Sequence, residues 1–173
     1  YLFFSRNTSI PGFASGENYV VQLTPDLSGF VGRPQMISQA SQEWEMVDWA
    51  HCRGNEGPFV FYHKGRYYMT YSANSYESPF YGIGCATADS PLGPWTKYDC
   101  NPLLQNPGEL VGVGHSALFR DKAGNLKIVF HAHKSKGAIH PREMYITDVR
   151  FRPVEGGCRM EIDPGYSPAL IAE

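Results

Sequence analysis

The sequence predicts an all-β protein built from repeated blades of four antiparallel strands. Two hairpin-like stretches indicate this, EGPFVFYHKGRYYMTYS at 56–72 and HSALFRDKAGNLKIVFH at 115–131, because in each a turn glycine follows nine residues after the opening polar residue. A shorter copy of the returning strand opens the chain, so these strands begin at positions 1, 68 and 127. Four-stranded repeats of this length are typical of β-propellers.

The elements between these hairpins repeat in the same order. Apolar alternation predicts a third strand in each unit, at 19–23, 81–87 and 144–151, and a fourth strand is weakly marked at 35–38 and 95–98. We therefore divide one β-propeller domain into a partial blade at 1–43, full blades at 44–105 and 106–155, and a closing strand or tail at 156–173. The chain contains two full blades and most of a third.

Composition excludes several classes of protein. A formal net charge of −2 with scattered basic residues gives no footprint for nucleic acid, and no apolar run approaches the length of a membrane span. The four cysteines form no Cys-x-x-Cys pair, which argues against a metal knuckle. His131, His133 and His140 could hold zinc, but histidines on a loop more often form hydrogen bonds, and we favour that interpretation.

The propeller arrangement predicts where polar residues meet. The first strand of each blade lines the central axis, so Glu56 and His115, which occupy equivalent positions in successive units, should converge. The loops at 72–80 and 131–143 should lie around the same open end of the axis, which we call the mouth. They bring Asn74, Tyr76 and Arg142 to it.

The segment at 44–55 is expected to be a short helical or irregular passage leading to Glu56. It carries Trp49, whose ring could either stack on a ligand or pack beneath the segment. Arg142 likewise has two interpretations, as a ligand-binding guanidinium or as a surface residue covering its loop. Glu56 could be an acid catalyst, or a carboxylate paired with Arg142 or His115 that performs no chemistry.

Several motifs resemble those of glycoside hydrolase family 43. They are EGPF at 56–59, GRYY at 65–68, YSAN at 71–74, ATADSPLGPW at 86–95 and GHS at 114–116. The resemblance implies five-bladed β-propeller enzymes that act on arabinose- and xylose-containing plant glycans by inversion and require no cofactor. It extends through nearly the whole chain, which corresponds to the later half of that domain.

The resemblance also implies roles for individual residues. Glu56 resembles the general acid, and Arg142 the sugar-contacting arginine of the last blade. His115 resembles the axial histidine that in many members approaches a Ca²⁺ or Na⁺ ion through water. Trp49, Asn74 and Tyr76 are further candidates for contacts with an oligosaccharide or polysaccharide.

The two aspartates of the family have no counterpart in this chain. An inverting hydrolase needs two carboxyl groups, and Asp48, the nearest substitute, lies in the passage and not at the start of a blade. We therefore expect an N-terminal half of the propeller, from the same polypeptide or a second chain, and a secreted or periplasmic location in preference to a cytoplasmic one. The alternatives are a catalytically inactive carbohydrate-binding propeller and a propeller scaffold.

Overall fold

The computed structural model describes residues 1–169, which form twelve β-strands and one short 3-10 helix, Glu43–Glu45. The strands are β1 Leu2–Ile10, β2 Phe13–Leu23, β3 Phe30–Ser38, β4 Cys52–His63, β5 Arg66–Ala73, β6 Gly82–Ala88, β7 Thr96–Lys97, β8 Gly114–Arg120, β9 Leu126–Ala132, β10 Glu143–Val154, β11 Gly157–Ile162 and β12 Ser167–Pro168. The end of the predicted tail, 170–173, lies outside the described residues. The all-β prediction is confirmed.

The strands form three units in chain order. β4 to β7 pair consecutively and antiparallel, and β8 to β11 do the same, with the short β12 added beside β10. The first unit has three strands, in which β2 pairs with both β1 and β3. The prediction of blades of four antiparallel strands is thereby confirmed.

The connection between β4 and β5 follows from its turn residues. Lys64 and Gly65 both have positive φ, 47° and 87°, which is the backbone of a two-residue hairpin turn that matches the strand twist. His63 pairs directly with Arg66 across it. This tight turn fixes the register that carries Glu56 to the opposite end of the hairpin, beside Ser72.

The first two units are joined in a way that the sequence did not indicate. Residues 52–54 at the start of β4 pair in parallel with residues 14–16 of β2, so the two units share one seven-stranded sheet. A Cβ on Gly54 would lie 2.7 Å from the backbone nitrogen of Gly16, closer than real Cβ contacts. Glycine at position 54 therefore permits the approach that fixes the start of β4.

Strand β5 is buried on both of its faces. Tyr68 packs into the larger core with Ile128, Phe130 and other side chains of the last unit, while Met69 faces a smaller cluster shared with Trp44. Burying a side chain such as Ile128 or Phe130 contributes about 2 kcal/mol relative to leaving it exposed. Because β5 is packed on both faces, the residues at its end are held in a defined position.

Candidate active site

Glu56 lies near the beginning of β4, where the pairing with β5 is irregular. Glu56 is opposite Ser72, the register shifts before Phe59, and Gly57 has a φ of 57°. A Cβ on Gly57 would lie 3.3 Å from Cγ of His115, so the imidazole rests against the backbone next to Glu56. The structure thus brings Glu56 and His115, 59 positions apart in sequence, to one place.

Tyr81 contacts the Glu56 carboxyl directly, and sequence reasoning missed it. Its hydroxyl donates a hydrogen bond to Oε1 of Glu56 at 2.6 Å, and the side chain is fully buried. Burial first, and then the charge of Glu56, raises the pKa of Tyr81 well above its usual value. Tyr81 therefore remains protonated and is a permanent donor; in sequence it appeared only as an apolar position at the start of a strand.

The imidazole of His131 stacks on the ring of Tyr81. Its ring is nearly parallel to that of Tyr81, with centroids 5.7 Å apart and 12° between planes, and its centroid is 6.4 Å from that of His115. Burial first, and then the positive charge of Arg142, lowers the pKa of His131 to about 4. The imidazole is therefore neutral at neutral pH.

Arg142 lies at the mouth and contacts two neighbours. Nη1 is 3.2 Å from Nε2 of His131, and the guanidinium lies over the Tyr76 ring at 4.8 Å. The backbone carbonyl of Tyr76 is itself 2.8 Å from Nε2 of His133. Arg142 is exposed yet oriented by these contacts, which leaves the rest of its planar donor group facing solvent.

Asn74 and Trp49, the remaining candidates for sugar contacts, lie in different surroundings. Asn74 is 4% exposed, and its Nδ2 donates to the carbonyls of Trp44 and Phe80, both at 2.8 Å, so its amide organises the loop from inside. Trp49 is 37% exposed in the segment before β4. It is not among the residues that line the cleft beside Glu56. A sugar contact by Asn74 or Trp49 stays a prediction.

That cleft lies between the β1–β2 hairpin and the start of β4. It has a volume of about 180 Å³, and Glu56, Asn7, Arg53 and Tyr76 are among the residues that line it. The cleft is thus bordered by the carboxyl that the resemblance identifies as the acid and by the aromatic ring under Arg142. A ligand could reach both from the same side.

A buried ion pair holds the segment that leads to Glu56. Glu45 is fully buried and accepts hydrogen bonds from Tyr71 at 2.7 Å and from Nζ of Lys97. Lys97 also donates to Oδ1 of Asn55 at 2.9 Å, immediately before Glu56. Burial lowers the pKa of Lys97, and the hydrogen bond and charge of Glu45 oppose this. Lys97 therefore links the buried Glu45 to the side chain of Asn55.

The clustered side chains of the described residues do not support the zinc site that the histidines suggested. Among residues 1–169, no three or more His, Cys, Asp and Glu side chains are grouped so as to hold a metal ion. Ca²⁺ prefers six to eight oxygen ligands, and the rings next to Glu56 offer nitrogen. A Ca²⁺ or Na⁺ ion on the propeller axis, and its contact with His115 through water, stay predictions.

Comparison with known proteins gives a consistent family. Residues 1–155 match the family described as "Glycosyl hydrolases family 43". A thermostable family-43 glycoside hydrolase superposes with a TM-score of 0.82 at 35% identity, covering 92% of this chain and 52% of that structure. An endo-1,4-β-xylanase from Bacteroides thetaiotaomicron gives 0.77 at 40% identity, with 87% and 51% covered.

A curated relative adds a shorter match. An extracellular exo-α-(1→5)-L-arabinofuranosidase from Streptomyces avermitilis is 31% identical over 112 residues, which are 61% of this chain and 22% of the relative. The chain thus spans about half of the two solved structures and a smaller share of this relative. Among the described residues, no helix has the length and apolar character that crossing a membrane requires.

Proposed function

The chain belongs to glycoside hydrolase family 43, and from this premise we propose that it supplies the general acid of an inverting glycosidase acting on arabinose- or xylose-containing plant glycans. The hydrogen bond from Tyr81 to Glu56 is the observation that carries the proposal. Glu56 borders a cleft and lies next to the His115 ring, while His131 stacks on Tyr81 and Arg142 contacts His131. A carboxyl in such a cluster is suited to deliver a proton to a bound substrate.

The proposed reaction is a single displacement. Glu56 protonates the glycosidic oxygen, the bond from that oxygen to the anomeric carbon breaks, and water adds to the carbon from the opposite face while losing a proton to a base. The two carboxyl groups of such an enzyme are roughly 6.5 to 9.5 Å apart. This separation leaves room for the water molecule.

The base is expected from the N-terminal half of the propeller, in the same polypeptide or a second chain. Two carboxylates of the segment that leads to Glu56 have partners of their own. Asp48 lies 3.5 Å from His51 on an exposed segment, and Glu45 is held by Lys97. Because Glu45 is fully buried and Asp48 lies in the segment before β4, we propose neither as the base.

Arg142 and Tyr76 are proposed to bind the sugar. The guanidinium can fork to two hydroxyl groups, and its contacts with His131 and Tyr76 reduce the conformational freedom lost on binding. His115, exposed beside Glu56, can donate to or accept from a further hydroxyl. These three residues are the proposed contacts for the sugar hydroxyl groups.

The substrate class and location rest on relatives. One matched structure is named an endo-1,4-β-xylanase and the curated relative an extracellular exo-arabinofuranosidase, so we propose a polysaccharide or oligosaccharide containing these sugars and a secreted or periplasmic protein. The second candidate function is a sugar-binding propeller without catalysis. Asp48 is paired with His51 and Glu45 with Lys97, so this non-catalytic function is favoured if no base is supplied from elsewhere.

The decisive experiment compares Glu56→Gln with the parent in the full-length protein on two leaving groups. We expect turnover of an arabino- or xylo-oligosaccharide to fall by about 100-fold or more, and turnover of a nitrophenyl glycoside, which needs no proton, to fall far less. Asp48→Asn is the matched control and should leave both rates unchanged. Equal losses on both substrates would reject the acid role.

Proton NMR of the first product formed tests inversion directly. An enzyme of the proposed type releases the anomer opposite in configuration to the substrate. If the parent binds these oligosaccharides without cleaving either substrate, the non-catalytic function is the correct one.

A further inference from the structure

Tyr81 occupies a space that the fold keeps open for it. The side chain is fully buried, and a Cβ on Gly114 would lie 2.0 Å from its Cε1 atom. Its ring is also covered by the parallel ring of His131. Because the ring is held on several sides, the hydroxyl has a defined position 2.6 Å from Oε1 of Glu56.

The hydrogen bonds around this hydroxyl have a fixed direction. The backbone N–H of His115, which can only donate, gives its hydrogen to Oγ of Ser72 at 2.7 Å. The Ser72 hydroxyl lies close enough to Tyr81 to lower its pKa, against the larger effects of burial and Glu56 that raise it. The Tyr81 hydroxyl gives its hydrogen to Glu56, so Oε1 of Glu56 accepts.

The second carboxylate oxygen of Glu56, Oε2, differs from Oε1 in its hydrogen bonding. No side chain or backbone donor among residues 1–169 makes a hydrogen bond to Oε2. Since Oε1 is already occupied as an acceptor, a proton on this carboxyl belongs on Oε2. The two oxygens of Glu56 are therefore made inequivalent by Tyr81.

We propose that Tyr81 is a positioning residue for the acid, which confines the transferable proton of Glu56 to Oε2 and turns that oxygen toward the leaving group. The inference rests on the acid role proposed above for Glu56. The proton leaves Oε2 for the glycosidic oxygen, and the resulting carboxylate keeps its hydrogen bond from Tyr81 through the step. No further reactant is required.

Tyr81→Phe in the full-length protein tests this, because phenylalanine keeps the ring stacked on His131 and removes only the hydroxyl. A hydrogen bond from a neutral hydroxyl stabilises a carboxylate more than a carboxylic acid, so removing the hydroxyl should alter the pH dependence of the reaction. We expect the basic limb of the kcat–pH profile to move up by about one pH unit. At the optimum, kcat on an oligosaccharide should fall about tenfold or more, and kcat on a nitrophenyl glycoside far less.

Tyr71→Phe is the matched control. Tyr71 is also a fully buried tyrosine that donates to a carboxylate, Oε1 of Glu45 at 2.7 Å, but that carboxylate is not the proposed acid. A purely structural role for buried tyrosine hydroxyls predicts the same effect in both variants, a lower Tm with an unchanged pH profile. Only Tyr81→Phe should move the basic limb, with KM changed less than about twofold.

A second route covers the case in which Tyr81→Phe does not fold. Ser72→Ala removes the hydroxyl that lowers the Tyr81 pKa and leaves the Tyr81 ring in place, so it should weaken the bond to Glu56 and move the basic limb in the same direction by a smaller amount. An unchanged pH profile in the variant that folds, or equal losses on both leaving groups, overturns the positioning role. If Glu56→Gln itself shows equal losses, the acid role has failed, and the two failures are thereby told apart.

Discussion

Nη1 of Arg142 lies 3.2 Å from Nε2 of His131. A guanidinium has only donors, so Nε2 of His131 accepts this bond and carries no proton. Protonation of His131 would place two positive groups in contact inside the mouth. This explains why burial and Arg142 together lower the pKa of His131 to about 4.

The first prediction concerns stability at acid pH. His131 has a folded-state pKa of about 4 and an ordinary value of 6.5, so the unfolded chain binds the proton first as the pH falls. The contribution of His131 is fully present above pH 6.5 and is lost as the pH falls toward 4. We expect a loss of about 3 kcal/mol across this window.

His131→Phe isolates the contribution of His131 titration to the free energy of unfolding, because phenylalanine retains a ring against Tyr81 and cannot titrate. Urea unfolding at pH 7 and pH 4 should show the parent losing about 3 kcal/mol more than the variant. The same loss in both proteins would show that His131 is not the group responsible.

The second prediction concerns the space for Tyr81. Gly114→Ala would put a Cβ 2.0 Å from the Tyr81 ring, and the ring cannot retreat because His131 covers it. We expect a loss of about 1 to 3 kcal/mol in unfolding free energy together with reduced hydrolysis. Gly137→Ala is the control, since nothing lies within 4 Å of its Cβ position. Comparable losses in both variants would contradict the steric argument.

The third prediction concerns the buried ion pair. Lys97→Met leaves the Glu45 carboxylate buried without its cation, which should destabilise the protein by about 3 to 5 kcal/mol in urea unfolding. Lys136→Met removes the cation of a highly exposed pair with Glu109 and should change stability little. A small effect of Lys97→Met would mean that solvent reaches Glu45.

The fourth prediction concerns an ion near His115. If His115 contacts Ca²⁺ or Na⁺ through water, His115→Asn should weaken ion binding measured by calorimetry and lower hydrolysis. Asparagine is the suitable replacement because position 115 has a φ of 52°, which asparagine tolerates better than most residues. Ion binding of equal affinity in parent and variant would remove the role from His115.

Much of the fold was determined by local sequence patterns. Alternating apolar residues and the Lys64–Gly65 turn fix the hairpin of β4 and β5, and its repetition at 115–131 identified Glu56 and His115 as equivalent positions. Their proximity followed because equivalent first strands of successive blades face one axis. The family resemblance added the chemical roles expected for them.

Contacts between distant residues were decided by tertiary packing alone. Tyr81 looked like one more apolar residue of a strand, yet it donates to Glu56, and Lys97 crosses from an outer strand to Glu45. Asn74, expected at the mouth for its polar side chain, turns inward to satisfy backbone carbonyls. A periodic pattern specifies which face of a strand is buried, but the partner across that face depends on how the sheets pack, and no local sequence signal encodes it.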